Sequence, residues 1–145
     1  MSDAPVTPER HAHGLVAHKA RAPRPRIGPV VWWLGLAATA LVALALSLVA
    51  YSKGLTFFGI PQGDKAVHIG IGGALAFFLD GVLRRRTIAL GALRVPVAAL
   101  LILVPAAIEE FLQRYSPNRS SSIADYLADV AGVAFGVWLS RRVSA

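Results

Sequence analysis

The sequence predicts an all-α polytopic membrane protein, a four-transmembrane-helix bundle with a disordered N-terminal tail. Three observations carry that expectation. The 145 residues are 55% hydrophobic and only 16% charged, with a mean hydropathy of +0.56, whereas soluble domains carry about a quarter charged residues. The apolar residues gather into four runs, each near the ~20 residues that cross a hydrocarbon core. The basic residues fall between those runs instead of along one polar face, so the formal charge of +7 points to membrane orientation and not to nucleic acid.

The chain divides into a tail, residues 1–29, and a membrane domain, residues 30–142. Five basic residues and five prolines with little apolar periodicity make the tail unable to bury a core, so it reads as disordered and cytoplasmic. His11, His13 and His18 lie in it; without neighbouring carboxylates they do not form a metal site. With no cysteine in the chain, disulfides, thiolate nucleophiles and thiolate metal ligands are excluded together.

The first span, about 30–51, is apolar throughout, and its 22 residues exceed the hydrophobic stretch of a cleaved signal peptide, so it reads as an uncleaved anchor. Trp32, Trp33 and Tyr51 mark its interfaces. The second span, about 66–83, stops at the triple arginine Arg84–Arg86, and Asp80 is spaced to pair with Arg84 one turn on. After a short connection, "TIALGAL", the third span covers about 95–112; Pro96 suits a helix start, and Pro105 predicts a kink one turn before Glu109 and Glu110. The fourth span, about 123–139, follows a polar loop, with Ser122 and Asp125 spaced as a variant capping box. Eleven Lys and Arg residues flank the spans on the side of the tail, the second loop and the C-terminus, against four on the other side. The positive-inside rule therefore puts both termini in the cytoplasm, and a bacterial plasma membrane is the expected location.

In that topology the polar residues of three spans converge at the outer end. Asp64 and His68 begin the second span, Glu110 and Gln113 end the third, and Asp125 and Asp129 begin the fourth. A spacing of three or four residues puts each pair on one helix face. Ionisable groups at that depth cost several kcal/mol unless paired or wetted, so His68, Glu110 and Asp129 are expected to share a polar cavity, with Lys65 and Arg119 closing it from outside. The simpler account is that these groups join helices, with Asp125 a cap and Asp64 a charge favoured by the helix dipole. Gly70, Gly72 and Gly73, with the G-x-x-x-G of Gly132 and Gly136, predict close contact between the second and fourth spans.

The series "DKAVH", "EFLQ" and "RSSSIADYLADVAGVAFG" resembles the VanZ-like membrane proteins, whose pattern runs roughly D-K-x-x-H, E-x-x-Q, R, D-x-x-x-N, G-x-x-x-G. The match covers residues 64–136, about half the chain, in order. The resemblance implies that Asp64, Lys65, His68, Glu110, Gln113, Arg119 and Asp125 are the positions kept polar, and that the role is accessory, in the cell envelope and akin to low-level glycopeptide resistance. Asp129 departs from the family's Asn: an aspartate accepts hydrogen bonds as Asn does but donates only when protonated.

Three functions compete. The first is a binding role, in which Asp64, Lys65, His68, Glu110, Gln113, Arg119, Asp125 and Asp129 hold the headgroup of an anionic lipid or a lipid-linked wall precursor; the carboxylates are its weakness. The second is an intramembrane enzyme acting on a lipid phosphate, with His68 and Glu110 as acid and base or as ligands of a metal; no nucleophile, phosphate-loop or zinc motif accompanies them. The third is a small transporter or proton relay. No cofactor is called for, and a homodimer is left open.

Overall fold

The computed structural model describes residues 27–53, 63–115 and 122–143. The expected tail, apart from its last three residues, and Arg119 lie outside the described residues. Four helices dominate: α1 (Pro29–Lys53), α2 (Gly63–Val82), α3 (Val97–Gln113) and α4 (Ile123–Val143). A two-stranded antiparallel hairpin, β1 (Thr87–Leu90) and β2 (Leu93–Pro96), joins α2 to α3. The helical class is as expected; the hairpin is not. Its strands are only four residues each, and Gly91, at φ 62°, makes the turn between them. So short a ladder has no room for a readable alternation.

Three of the helices, over Pro29–Tyr51, Gly63–Val82 and Ile123–Val143, are long and apolar enough to cross a membrane. The fourth, α3, has 17 residues, about 25 Å at ~1.5 Å per residue, less than a ~30 Å hydrocarbon core. The exposed surface of α1 includes Val30, Trp33, Leu34, Leu41, Leu44 and Leu48. A helix apolar on every side is stable against lipid, not against water.

Element boundaries differ from expectation where polar residues join helices. The second helix begins at Gly63, so Asp64 and Lys65 belong to its first turn. The fourth continues to Val143 and takes in Arg141 and Arg142. The third runs unbroken through Pro105.

In lipid, helices associate through packing and polar contacts more than through the hydrophobic effect. The α2–α4 seam is the most extensive. These helices run parallel, because contacts pair Gly73 with Gly132 and Gly136 and, further along, Asp80 with Ser140. Side-chain volume is what the seam excludes. A Cβ on Gly136 would lie 2.0 Å from the Gly73 carbonyl oxygen, and one on Gly132 would lie 2.4 Å from that of Ile69. Gly70, by contrast, has nothing within 4 Å of such an atom and takes no part in the seam. Ala76, Val133 and Val137 form the small buried core, covered by Ala99, Ile102 and Leu103 of α3.

The first helix crosses α2 antiparallel. Trp32 does not serve only as an interface anchor: it is buried, its ring 5.0 Å from that of Phe77 and 6.3 Å from that of Phe78. Gly81 and Gly35 leave the room these rings occupy, since a Cβ at either would meet Trp32 or Phe78 at 2.1 Å. Such ring pairs contribute ~0.5–1.5 kcal/mol each beyond their area.

Candidate functional site

Because α2 and α4 are parallel and α1 and α3 run against them, the end of α1, the start of α2, the end of α3 and the start of α4 share one end of the bundle. A cavity of about 430 Å³ opens there. The second helix lends it Asp64, His68 and Gly72; the third, Glu109, Glu110 and Gln113; the fourth, Asp125 and Asp129. The three motif-bearing helices therefore do bring their polar residues together. The first helix adds Ala43, Leu46, Ser47 and Ala50, a contribution that sequence reasoning missed. Ser47, a hydroxyl in an otherwise apolar run, was the available signal; its Oγ donates to Glu109 Oε1 at 3.2 Å.

The central contact is between helices. His68 Nδ1 lies 3.0 Å from Asp129 Oδ1, beside Gly72, where a Cβ would sit in ordinary contact with that oxygen at 3.4 Å. A carboxylate at Nδ1 favours the tautomer with its proton on that nitrogen. Nearer the mouth, Lys65 Nζ lies 3.7 Å from Asp64 Oδ2 and 3.3 Å from Asp125 Oδ1. Lys65 is thus an internal counter-ion for two carboxylates of the rim. The Lys65–Asp125 pair spans α2 and α4, and solvent on its lysine side screens it, so it adds little to stability.

Glu110 Oε1 accepts a hydrogen bond from the Ser122 backbone N–H, so α3 satisfies a donor at the start of α4. This replaces the expected capping box: Asp125 turns to Lys65, and its backbone N–H donates to the Ser122 carbonyl at 3.0 Å. Gln113 is 2% exposed, and among the described residues its Oε1 has no hydrogen-bond partner. The apolar wall of the cavity includes Ile71, Leu75, Leu101 and Ile102. Pro105, having no N–H to give the Leu101 carbonyl, lines it with Leu101. Among the described residues no three of His, Asp and Glu are grouped to hold a metal ion.

A second polar cluster lies toward the opposite end. Asp80 is fully buried; its Oδ2 accepts from Ser140 Oγ at 2.9 Å, and its Oδ1 lies 3.4 Å from Arg141 Nη2. The expected Asp80–Arg84 pair is not made. Helix α2 ends before Arg84, whose φ of 51° is left-handed, and the Arg85 N–H closes the helix on the Asp80 carbonyl at 2.8 Å. Arg84, Arg85, Arg86, Arg94, Arg141 and Arg142 all belong to this end of the helices. The bundle is therefore acidic at the cavity and basic at the far end. Comparison with family models, with curated proteins and with solved structures finds no match for this chain.

Proposed function

We propose that the chain is a VanZ-like protein of the bacterial cell envelope that crosses the plasma membrane four times and binds the headgroup of an anionic lipid or lipid-linked wall precursor in an outward-facing pocket. The observation that carries this reading is the cavity at the acidic end, built by all four helices and half walled by apolar side chains. An amphiphile suits such a lining: the headgroup meets the polar mouth while chains follow the apolar wall. The ordered motif series supports the family, and the six arginines at the other end support cytoplasmic termini. The short α3 completes the fourth span if the bilayer thins locally beside it, at fractions of a kcal/mol per Å of mismatch. Lys65, paired with the lining carboxylates Asp64 and Asp125, is the cation we assign to a ligand phosphate.

The test is native mass spectrometry of protein extracted with its own lipids. Wild type is expected to retain a phosphate-bearing lipid that is lost when Gly72→Leu fills the cavity wall. Identical lipid profiles would end this reading.

One observation favours an enzymatic alternative. His68 held at Nδ1 by Asp129 has the arrangement of a general base oriented by a carboxylate. That pairing uses Asp129, whereas the sequence suggested Glu110. Turnover of lipid phosphates by wild type, abolished in His68→Ala, would establish it; equal turnover by both would remove it.

A further inference from the structure

We propose that the ligand of this cavity carries an ammonium group, received by Glu110, Asp129 and Gln113 Oε1. The inference rests on the headgroup pocket proposed above and changes its headgroup from anionic to zwitterionic.

The polar lining is dominated by acceptors. Asp64, Glu109, Glu110, Asp125 and Asp129 bring five carboxylates to the cavity, against one imidazole, that of His68, whose Nδ1 already faces Asp129. A phosphate placed among them would meet like charge from α2, α3 and α4. The chain's own ammonium, on Lys65, lies against the two outer carboxylates, Asp64 and Asp125. Among the described residues no Lys or Arg pairs with the inner two, Glu110 and Asp129.

Gln113 supplies the independent observation. Its side chain is nearly wholly buried, lines the cavity, and leaves Oε1 without a donor among the described residues. A buried acceptor in that state calls for a donor that the described residues do not supply. Glu110 and Gln113 are three residues apart on α3, hence on one face, and Asp129 approaches from α4. An ammonium has three N–H donors and no acceptor, which is the complement of this set. A hydroxylated ligand would satisfy Gln113 but leave Glu110 with only the Ser122 N–H, and Asp129 with only the His68 imidazole, as partners.

The same wall identifies the carrier as a lipid. Leu46, Leu75, Leu101 and Ile102 give the cavity an apolar half, and α1 packs mainly on α2, with little contact to α3. Contact of α1 with α3 is sparse, as it is with α4, which leaves room beside α1 for an acyl chain to reach the apolar wall. A phosphate beside Lys65 and an amine beyond it describe a zwitterionic aminated headgroup.

The experiment compares retention of three lipids by purified wild-type protein in native mass spectrometry: phosphatidylethanolamine, its N-acetylated derivative, and phosphatidylglycerol. Ethanolamine lipid should be held about tenfold better than either of the others. Gln113→Leu and Glu110→Gln should each abolish that preference, and a cooperative thermal transition shows that the variants are folded. Equal retention of all three by wild type overturns the ammonium proposal and leaves the headgroup pocket standing. Retention of none overturns both. A preference that survives in both variants also overturns it, because the amine would then be read elsewhere. Free phosphoethanolamine that competes as well as the lipid keeps the ammonium and overturns the lipid as its carrier. None of these comparisons depends on a single variant folding, since the wild-type lipid series stands alone.

Discussion

His68 on α2 and Asp129 on α4 meet at 3.0 Å across two parallel helices, one turn from the glycines that let those helices touch. The contact is therefore both a helix joint and part of the cavity wall. Asp129→Leu leaves the imidazole without its carboxylate and should cost ~1–3 kcal/mol. Asp129→Asn keeps an acceptor in place and should cost under about 1 kcal/mol. Denaturation of the purified protein in mixed micelles, followed by tryptophan fluorescence, measures both; equal losses would mean that the hydrogen bond contributes nothing.

The seam below that joint predicts a contrast among glycines. Gly136→Ala puts a methyl 2.0 Å from a backbone oxygen that cannot move aside alone, so α2 and α4 must separate. A loss of at least ~2 kcal/mol is expected, in the range of overpacked cores. Gly70→Ala meets nothing within 4 Å and should be neutral or stabilise the helix by up to ~1 kcal/mol. The same denaturation assay decides, and similar values for the two would contradict the packing described.

At the basic end, Ser140→Ala removes the 2.9 Å donor to a fully buried Asp80 carboxylate. The expected cost is ~1–3 kcal/mol. Asp80→Ala removes the carboxylate and opens space, and should cost ~3 kcal/mol or more. Replacing Arg84, which pairs with neither, should change stability little. A large effect of Arg84→Ala would restore the local pair that the spacing suggested.

The absence of cysteine in the chain makes topology directly measurable. Tyr115→Cys, at the exposed end of α3, should react with a membrane-impermeant maleimide in intact cells. Ala92→Cys, in the hairpin turn, should react only after permeabilisation. The reverse pattern would invert the orientation and turn the cavity toward the cytoplasm.

Much of this architecture was legible because lipid imposes a strong filter on sequence. Long apolar runs announce spans, and charged residues inside them stand out against the background. The convergence of Asp64, His68, Glu110, Gln113, Asp125 and Asp129 on one cavity followed from topology and helical spacing. Partner choice within the cluster did not, because it depends on helix rotation and depth. His68 takes Asp129, Lys65 takes Asp125, and Glu110 takes a backbone N–H. Asp80 makes the same point at the other end. Spacing on one helix offered Arg84, but the helix terminates first, and the partners come from residues 140 and 141, sixty positions away, through the parallel alignment of α4. The role of α1 was hidden for a different reason: one serine among aliphatic residues carries almost no signal.

Trp32 and the two phenylalanines clamp α1 to α2 near one end. Toward the other end, Ser47 reaches Glu109 of α3 through one hydroxyl, 3.2 Å from the carboxylate. Ser47 and Trp32 therefore tie α1 to the bundle by contacts of different kinds, and altering the hydroxyl contact to α3 leaves the glycine seam of α2 and α4 untouched.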